Sequence, residues 1–233
     1  MHASVEPKLA IQRLQTRRVS GHPPAVFRGL LLDLDDTLYD RGAAFRAWAV
    51  AVGHTQLGRS LEPAELAQLT ALDGRGHRPR AQFAGEALAL GLRVDPEAFP
   101  FQLAEHVVPE PGARETIEAL GASRRIAIVT NGGAAQRTKL AKLGLARVAH
   151  AVFVSGELGI AKPDPAIFER ALAWTELAAC EVLFVGDEPA IDLAPAAALG
   201  MATAWRMRGA WPDALPPPGF CLGRIAELAE VCA

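Results

Sequence analysis

The 233-residue chain has one tyrosine and three cysteines. Cys180, Cys221 and Cys232 are scattered, and none has a partner at metal-ligand spacing. That argues against a thiolate metal site and predicts reduced core or surface thiols in a cytoplasmic protein. An excess of one charge is missing too: 24 basic and 26 acidic residues leave a net charge of -2, which offers no electrostatic footprint for nucleic acid. No apolar run approaches the ~20 residues of a membrane-spanning helix, and the N-terminus lacks the apolar centre of a signal peptide. No repeat period suggests a solenoid, and the one low-complexity patch is Pro216–Pro218, a turn or short linker.

What is present points to a compact fold. Half the residues are hydrophobic and the mean hydropathy is +0.15. Residues 1–27 are poor in acids and carry Lys8, Arg13, Arg17 and Arg18, a mild likeness to an organelle transit segment; a frayed or loosely docked extension is the expectation. Apolar runs rich in Val, Ile and Leu at 29–34, 125–130, 151–155, 181–186 and, more weakly, 202–206 predict strands. Helical punctuation separates them. Gly121 and Gly144 stop helices over 113–120 and 134–143, and Asp164 with Pro165 forms an N-cap and first-turn pair. Alternating apolar strands and helices predict an α/β, Rossmann-like doubly wound parallel sheet covered on both faces.

Residues 43–108 have almost no strand pattern and are too long for an ordinary crossover. Helices are expected over 43–58, 63–72, 80–90 and 96–108, with Gly91 closing the third and Asp95–Pro96 opening the fourth. The domain reading is therefore a core over 28–42 and 109–233 with a small α-helical cap over 43–108. Phe45, Trp48 and Trp174 lie at helical spacings and read as core. Cys180 reads as structural, and Tyr39 is expected at the site entrance.

Chemistry concentrates at predicted strand ends. The first strand runs into Asp33, Asp35 and Asp36, and the fourth into Asp187 and Glu188. Ligands of an open parallel sheet bind beyond the carboxyl ends of its strands. If the first and fourth strands are neighbours, Asp33, Asp35 and Asp187 converge, and crowded carboxylates call for a hard divalent cation such as Mg²⁺. The second strand ends in Thr130-Asn131-Gly-Gly, suited to a phosphate oxygen, and Lys162 in "AKPDP" adds a compact positive charge. Together these groups describe a phosphoryl-transfer site.

Four segments in order, "LLLDLDDTL", "IAIVTNG", "AKPDPAIF" and "VGDEPAIDLAPAAALGM", resemble the motifs of the haloacid dehalogenase-like hydrolases, in the branch with a helical cap after the first strand. The resemblance implies a Mg²⁺-dependent phosphatase acting on a small phosphorylated metabolite through an aspartyl-phosphate. It implies Asp33 as nucleophile and Asp35 as acid and then base, the two facing one way along an extended strand. Thr130 and the Asn131 N–H would hold the phosphoryl group, and Lys162 would steady its charge. Asp187 and Asp192 would bind the metal with Asp33 and the Asp35 carbonyl. Asp36 and Pro195 stand where the family often has glycine.

Rival readings share the scaffold. A phosphomutase acting on a sugar phosphate is the alternative. A metal-free 2-haloacid dehalogenase would dispense with Asp35 and Asp187, and a non-catalytic binding protein would have lost the nucleophile or the acid. In 73–83, two glycines and a proline predict a loop whose Arg75, His77, Arg78 and Arg80 offer contacts to a second anionic group of the substrate. Monomer or homodimer are both open.

Overall fold

The structure, a computed structural model, describes residues 26–233. The expected N-terminal extension, with its four basic residues, lies outside the described residues up to position 25. Phe27, assigned to that extension, is instead core: it is 4% exposed and meets Phe220 edge-on at 5.9 Å.

Six strands form one parallel sheet: β1 (Gly29–Leu32), β2 (Arg125–Thr130), β3 (Ala151–Val154), β4 (Val182–Gly186), β5 (Ala202–Arg206) and β6 (Phe220–Leu222). Their order is β3-β2-β1-β4-β5-β6, so β1 lies between β2 and β4 and the chain order reverses there. Alternate side chains divide between two cores. Leu30, Leu32, Ile128 and Val185 belong to one, while Leu31, Val129 and Phe184 belong to the other. Burial on both faces is why these strands read as continuous apolar runs. β6, three residues long after the proline run, was not expected.

Helices α1 (Arg41–Leu57), α2 (Pro63–Asp73), α3 (Arg80–Ala87) and α4 (Phe99–Ala104) fill the stretch between β1 and β2. Asp40 caps α1 by accepting from the Ala43 N–H at 2.7 Å. Gly91 adopts the left-handed conformation expected of a closing residue. Helix α4 is shorter than expected at both ends: Asp95 accepts from the Glu97 N–H at 2.9 Å, and regular helix starts only at Phe99. The expected loop over 73–83 is narrower too, since Asp73 closes α2 and Arg80 opens α3. An aromatic cluster holds these helices together, with Trp48 and Phe99 at 4.7 Å and Phe83 and Phe99 at 5.0 Å between ring centroids. Where the chain leaves and re-enters the sheet layer, Tyr39 bridges Pro109 and the Glu110 N–H donates to the Leu38 carbonyl.

Around the sheet lie α5 (Ala113–Gly121), α6 (Ala135–Lys142), α7 (Ser155–Leu158), α8 (Pro165–Thr175), α9 (Ala194–Ala198) and α10 (Leu228–Val231). The Asp164 side chain caps α8 at the Ala166 N–H, as its sequence predicts. Trp174 is half-buried against Phe153 and under the Arg125 guanidinium, so it lies at the edge of the core. Cys180 is exposed, not structural in the sense expected, whereas Cys232 is buried. No helix among the described residues is long and apolar enough to cross a membrane.

Candidate active site

Adjacent strands β1 and β4 deliver Asp33 and Asp187 side by side. β1 ends at Leu32, two residues before its expected end, but the Asp33 N–H still donates to the Val185 carbonyl at 2.8 Å, which fixes the carboxylate at the strand tip. Beyond β4 the chain enters a π-helical turn over Pro189–Leu193 that folds Asp192 back over the strand end. Gly186 makes that return possible. A Cβ there would lie 2.6 Å from the Asp192 Cβ, inside any tolerable contact.

Asp33, Asp187 and Asp192 each bring one carboxylate oxygen to within 4.8 Å of the others, and all three residues are buried. Lys162 sits among them. Its ammonium donates to Asp33 Oδ1 at 2.6 Å and to Asp192 Oδ1 at 2.7 Å. Thr37 donates to the other oxygen of Asp33 at 2.9 Å. The loop carrying Lys162 is clamped by Asn131, whose amide accepts from the Lys162 N–H at 2.9 Å and donates to the Lys162 carbonyl at 2.8 Å. The Asn131 side chain is thus committed to the backbone.

The electrostatics follow from burial. Loss of water pushes Asp33 up to about 7 against the pull of Lys162, with Asp192 and Asp35 adding repulsion. Burial, and the charges of Asp33 and Asp192, push Asp187 up to about 8. Burial alone would lower Lys162, but Asp192 and Asp33 outweigh it and hold the ammonium charged. Fully ionised, the three acids would outnumber Lys162, and a hard cation would favour that ionised state.

Asp35 takes no part in that cluster through its side chain. Regular strand ends at Leu32 and Asp36 is in the left-handed region at φ 57°, so the chain turns just after Asp35, with Asp33 and Asp35 lining one cavity. The Asp35 carboxylate points to α6, where Lys139 Nζ donates to Oδ1 at 2.5 Å and Gln136 Nε2 donates to Oδ2 at 2.6 Å. The Tyr39 hydroxyl also donates to Oδ1. Burial would raise Asp35, but Lys139 and Tyr39 overcome it and lower it to about 2. Tyr39, expected at the entrance, is fully buried and raised above its ordinary value by burial and the Asp35 charge. The same Gln136 nitrogen reaches Thr130 Oγ1 at 2.6 Å.

Sequence reasoning missed Gln136, Lys139 and the Arg41–Asp73 pair. The available signal was two polar side chains three apart at the start of the helix after the Thr130 loop, a pattern shared by any solvated helix face. Arg41 and Asp73 join α1 to α2 in a buried bidentate pair, at 2.5 and 2.9 Å.

The basic residues of 75–80 divide. Arg75 reaches across to the sheet layer, with Nη2 2.5 Å from Asp187 Oδ2 and 3.0 Å from Asp36 Oδ2, and Nη1 3.2 Å from Glu188. His77 lies 3.3 Å from Glu188. Arg78 pairs with Glu86 on α3 at 2.9 Å. Arg80 lines, with the others, a cavity of about 370 Å³ between the helices and the strand ends, walled on the far side by Phe83, Phe99 and Leu103.

The chain is similar to known proteins over most of its length. The phosphoserine phosphatase of Thermus thermophilus is 34% identical over 82% of this chain and 79% of its own length. The glyceraldehyde 3-phosphate phosphatase of Methanopyrus kandleri is 31% identical over 88% of this chain and 97% of its own. The fold matches that of the hydrolase YfnB from Bacillus subtilis, solved bound to magnesium, with a TM-score of 0.75 at 24% identity over 88% of this chain and 98% of that one. The family model of haloacid dehalogenase-like hydrolases matches residues 27–200, and the chain is a member of that family of enzymes.

Proposed function

We propose that the protein is a Mg²⁺-dependent phosphatase that hydrolyses a small phosphorylated metabolite through an aspartyl-phosphate on Asp33. The observation that carries this reading is the Lys162 ammonium held between Asp33 and Asp192 beside Asp187. A buried nucleophilic carboxylate, a fixed cation and a cluster of oxygen ligands at one strand tip are what phosphoryl transfer needs, since positioning and charge neutralisation supply most of its catalysis. The names of the Thermus and Methanopyrus relatives, both phosphatases of small molecules, support the same reaction class.

The donor set fits Mg²⁺: all-oxygen, with more acids than the lysine can neutralise. Asp33, Asp187 and Asp192, with the Asp35 carbonyl, would hold it. When bound, the ion would offset the charge on the phosphoryl oxygens. Asp33 attacks phosphorus, the bond to the leaving oxygen breaks, and that oxygen takes a proton delivered by Asp35. Water then attacks phosphorus, gives its proton to Asp35 and releases inorganic phosphate from Asp33. Thr130 and the Asn131 N–H hold the phosphoryl group, and Lys162 keeps the nucleophile and the transferred group in register. As it stands, hydrogen-bonded at both oxygens, Asp35 is ionised, which suits the second step directly; for the first it must gain a proton.

The helices over 43–108 act as a cap whose basic turn selects the substrate. The direct test is Asp33→Asn, which is expected to fold, lose turnover and trap no acid-stable phosphoryl group on the enzyme. Full activity of Asp33→Asn, or of the unmodified protein in EDTA, would overturn the mechanism.

A further inference from the structure

Donors from two elements, none of them expected from the motifs, converge on Asp35. Lys139 and Gln136 come from one face of α6, three residues apart, and Tyr39 comes from the segment that leads into α1. All three are buried: Gln136 is 3% exposed, Lys139 5% and Tyr39 0%. With donors on both oxygens, the carboxylate cannot turn about its last torsion without breaking a hydrogen bond. Lys139 is held as well, its ammonium 5.7 Å from the centroid of the Tyr39 ring. Through Gln136 the same helix also grips Thr130 at the end of β2.

A buried ion pair is a poor way to stabilise a fold. Taking both charges out of water costs about as much as their attraction returns, and apolar replacements of similar volume are often neutral or better. What the Lys139–Asp35 pair supplies that an apolar pair could not is a fixed carboxylate plane.

We propose that Lys139, with Gln136 and Tyr39, is a positioning residue that holds Asp35 in the orientation needed to deprotonate the water that hydrolyses the aspartyl-phosphate. The inference rests on the proposed aspartyl-phosphate mechanism. In this step the water oxygen bonds to phosphorus and the bond from phosphorus to Asp33 breaks, returning its electron pair to the carboxylate. The water proton passes to Asp35 and from there to solvent. Donors on a base trade basicity for orientation. The rate follows basicity with a fractional slope, whereas misplacement by ~1 Å can cost ~100-fold, so orientation dominates.

p-Nitrophenyl phosphate isolates the step, because its phenolate departs without protonation and Asp35 then acts only as base. Lys139→Met is expected to lower kcat by ~10–100-fold and to lower KM in parallel, leaving kcat/KM within about threefold, because the slowed step follows the first irreversible one. Acid-quenched Lys139→Met enzyme should carry close to one phosphoryl group per site, as Asp35→Asn should. General damage to the site would lower kcat/KM with kcat. Circular dichroism shows whether Lys139→Met folds; if it does not, Tyr39→Phe, which keeps the ring and removes one donor, decides by a smaller change of the same kind. If Asp35→Asn accumulates phosphoenzyme while the folded variants keep wild-type kcat, or lose kcat/KM in proportion to kcat, the positioning role is overturned and the mechanism stands. If Asp35→Asn accumulates none, the base role of Asp35 itself has failed.

Discussion

Replacing Asp73 with alanine tests how the helices between β1 and β2 hold their basic turn over the site. Asp73 and Arg41 have side-chain exposures of 5% and 9%, and their bidentate contact joins the end of α2 to the start of α1. Gly76, with φ 83°, packs on the same guanidinium; a Cβ there would lie 2.9 Å from Arg41 Nη2. Removing one member of a buried pair strands the other charge, at a cost of ~3–5 kcal/mol. Asp35, whose charge acts on Arg41, compensates in part, so the lower end, about 3 kcal/mol, is expected. For a chain of this size each kcal/mol moves the melting temperature by ~2–4 °C, which gives a drop of roughly 6–12 °C in Asp73→Ala. Thermal unfolding followed by circular dichroism reads it. The double variant Arg41→Met/Asp73→Leu, which leaves no charge behind, should recover most of the loss. A drop below about 2 °C for Asp73→Ala would refute the reasoning, as would a double variant that falls as far as the two single changes added together.

Asp33 and Asp187, at about 7 and about 8 in the folded chain against an ordinary 3.8, hold protons that the unfolded chain has already released. Their contribution to stability without a divalent cation is therefore complete below pH 3.8 and is lost as pH rises through 7 to 8. Mg²⁺ at ~100 times its dissociation constant should restore ~2.7 kcal/mol, or roughly 5–10 °C, at pH 8, and Asp187→Asn should abolish most of that gain; melting curves that coincide with and without Mg²⁺ would count against the metal assignment. Arg75→Ala should lower the Mg²⁺ concentration needed for half-maximal activity by about two- to fivefold, the range a half-exposed pair worth under ~1 kcal/mol allows. An unchanged or higher requirement would contradict it.

How much of this was legible before the structure depends on the range over which each feature is encoded. Strands β1 to β5 announce themselves because both faces of each are covered, so Leu30, Leu31 and Leu32 are all apolar. The convergence of Asp33, Asp187 and Lys162 follows from strand order, and four motifs were enough to infer it. For Asp35 the sequence did not show its partners, because its pairing with Lys139 and Gln136 depends on how α6 packs against the end of β1. Lys139 and Gln136 look like any polar pair on a helix until the helix is packed, and Arg41 and Asp73 meet across 32 positions with no pattern to link them. β6 is too short, and too close to the proline run, for its periodicity to show.

Arg75 has a consequence for how the two layers communicate. The guanidinium comes from the turn between α2 and α3, while Asp36 and Asp187 belong to the sheet layer, so this one side chain ties the helices to the mouth of the catalytic cleft. A cation bound by Asp187, as proposed, would compete with Arg75 for that carboxylate. Binding of one must weaken the other by an equal free energy, whichever arrives first. If Asp187 binds Mg²⁺ as proposed, metal affinity and the Arg75 contact are linked in a single equilibrium. On the proposed function, a substrate whose second anion captures Arg75 would raise affinity for the ion without touching it, which would make the metal a reporter of substrate preference.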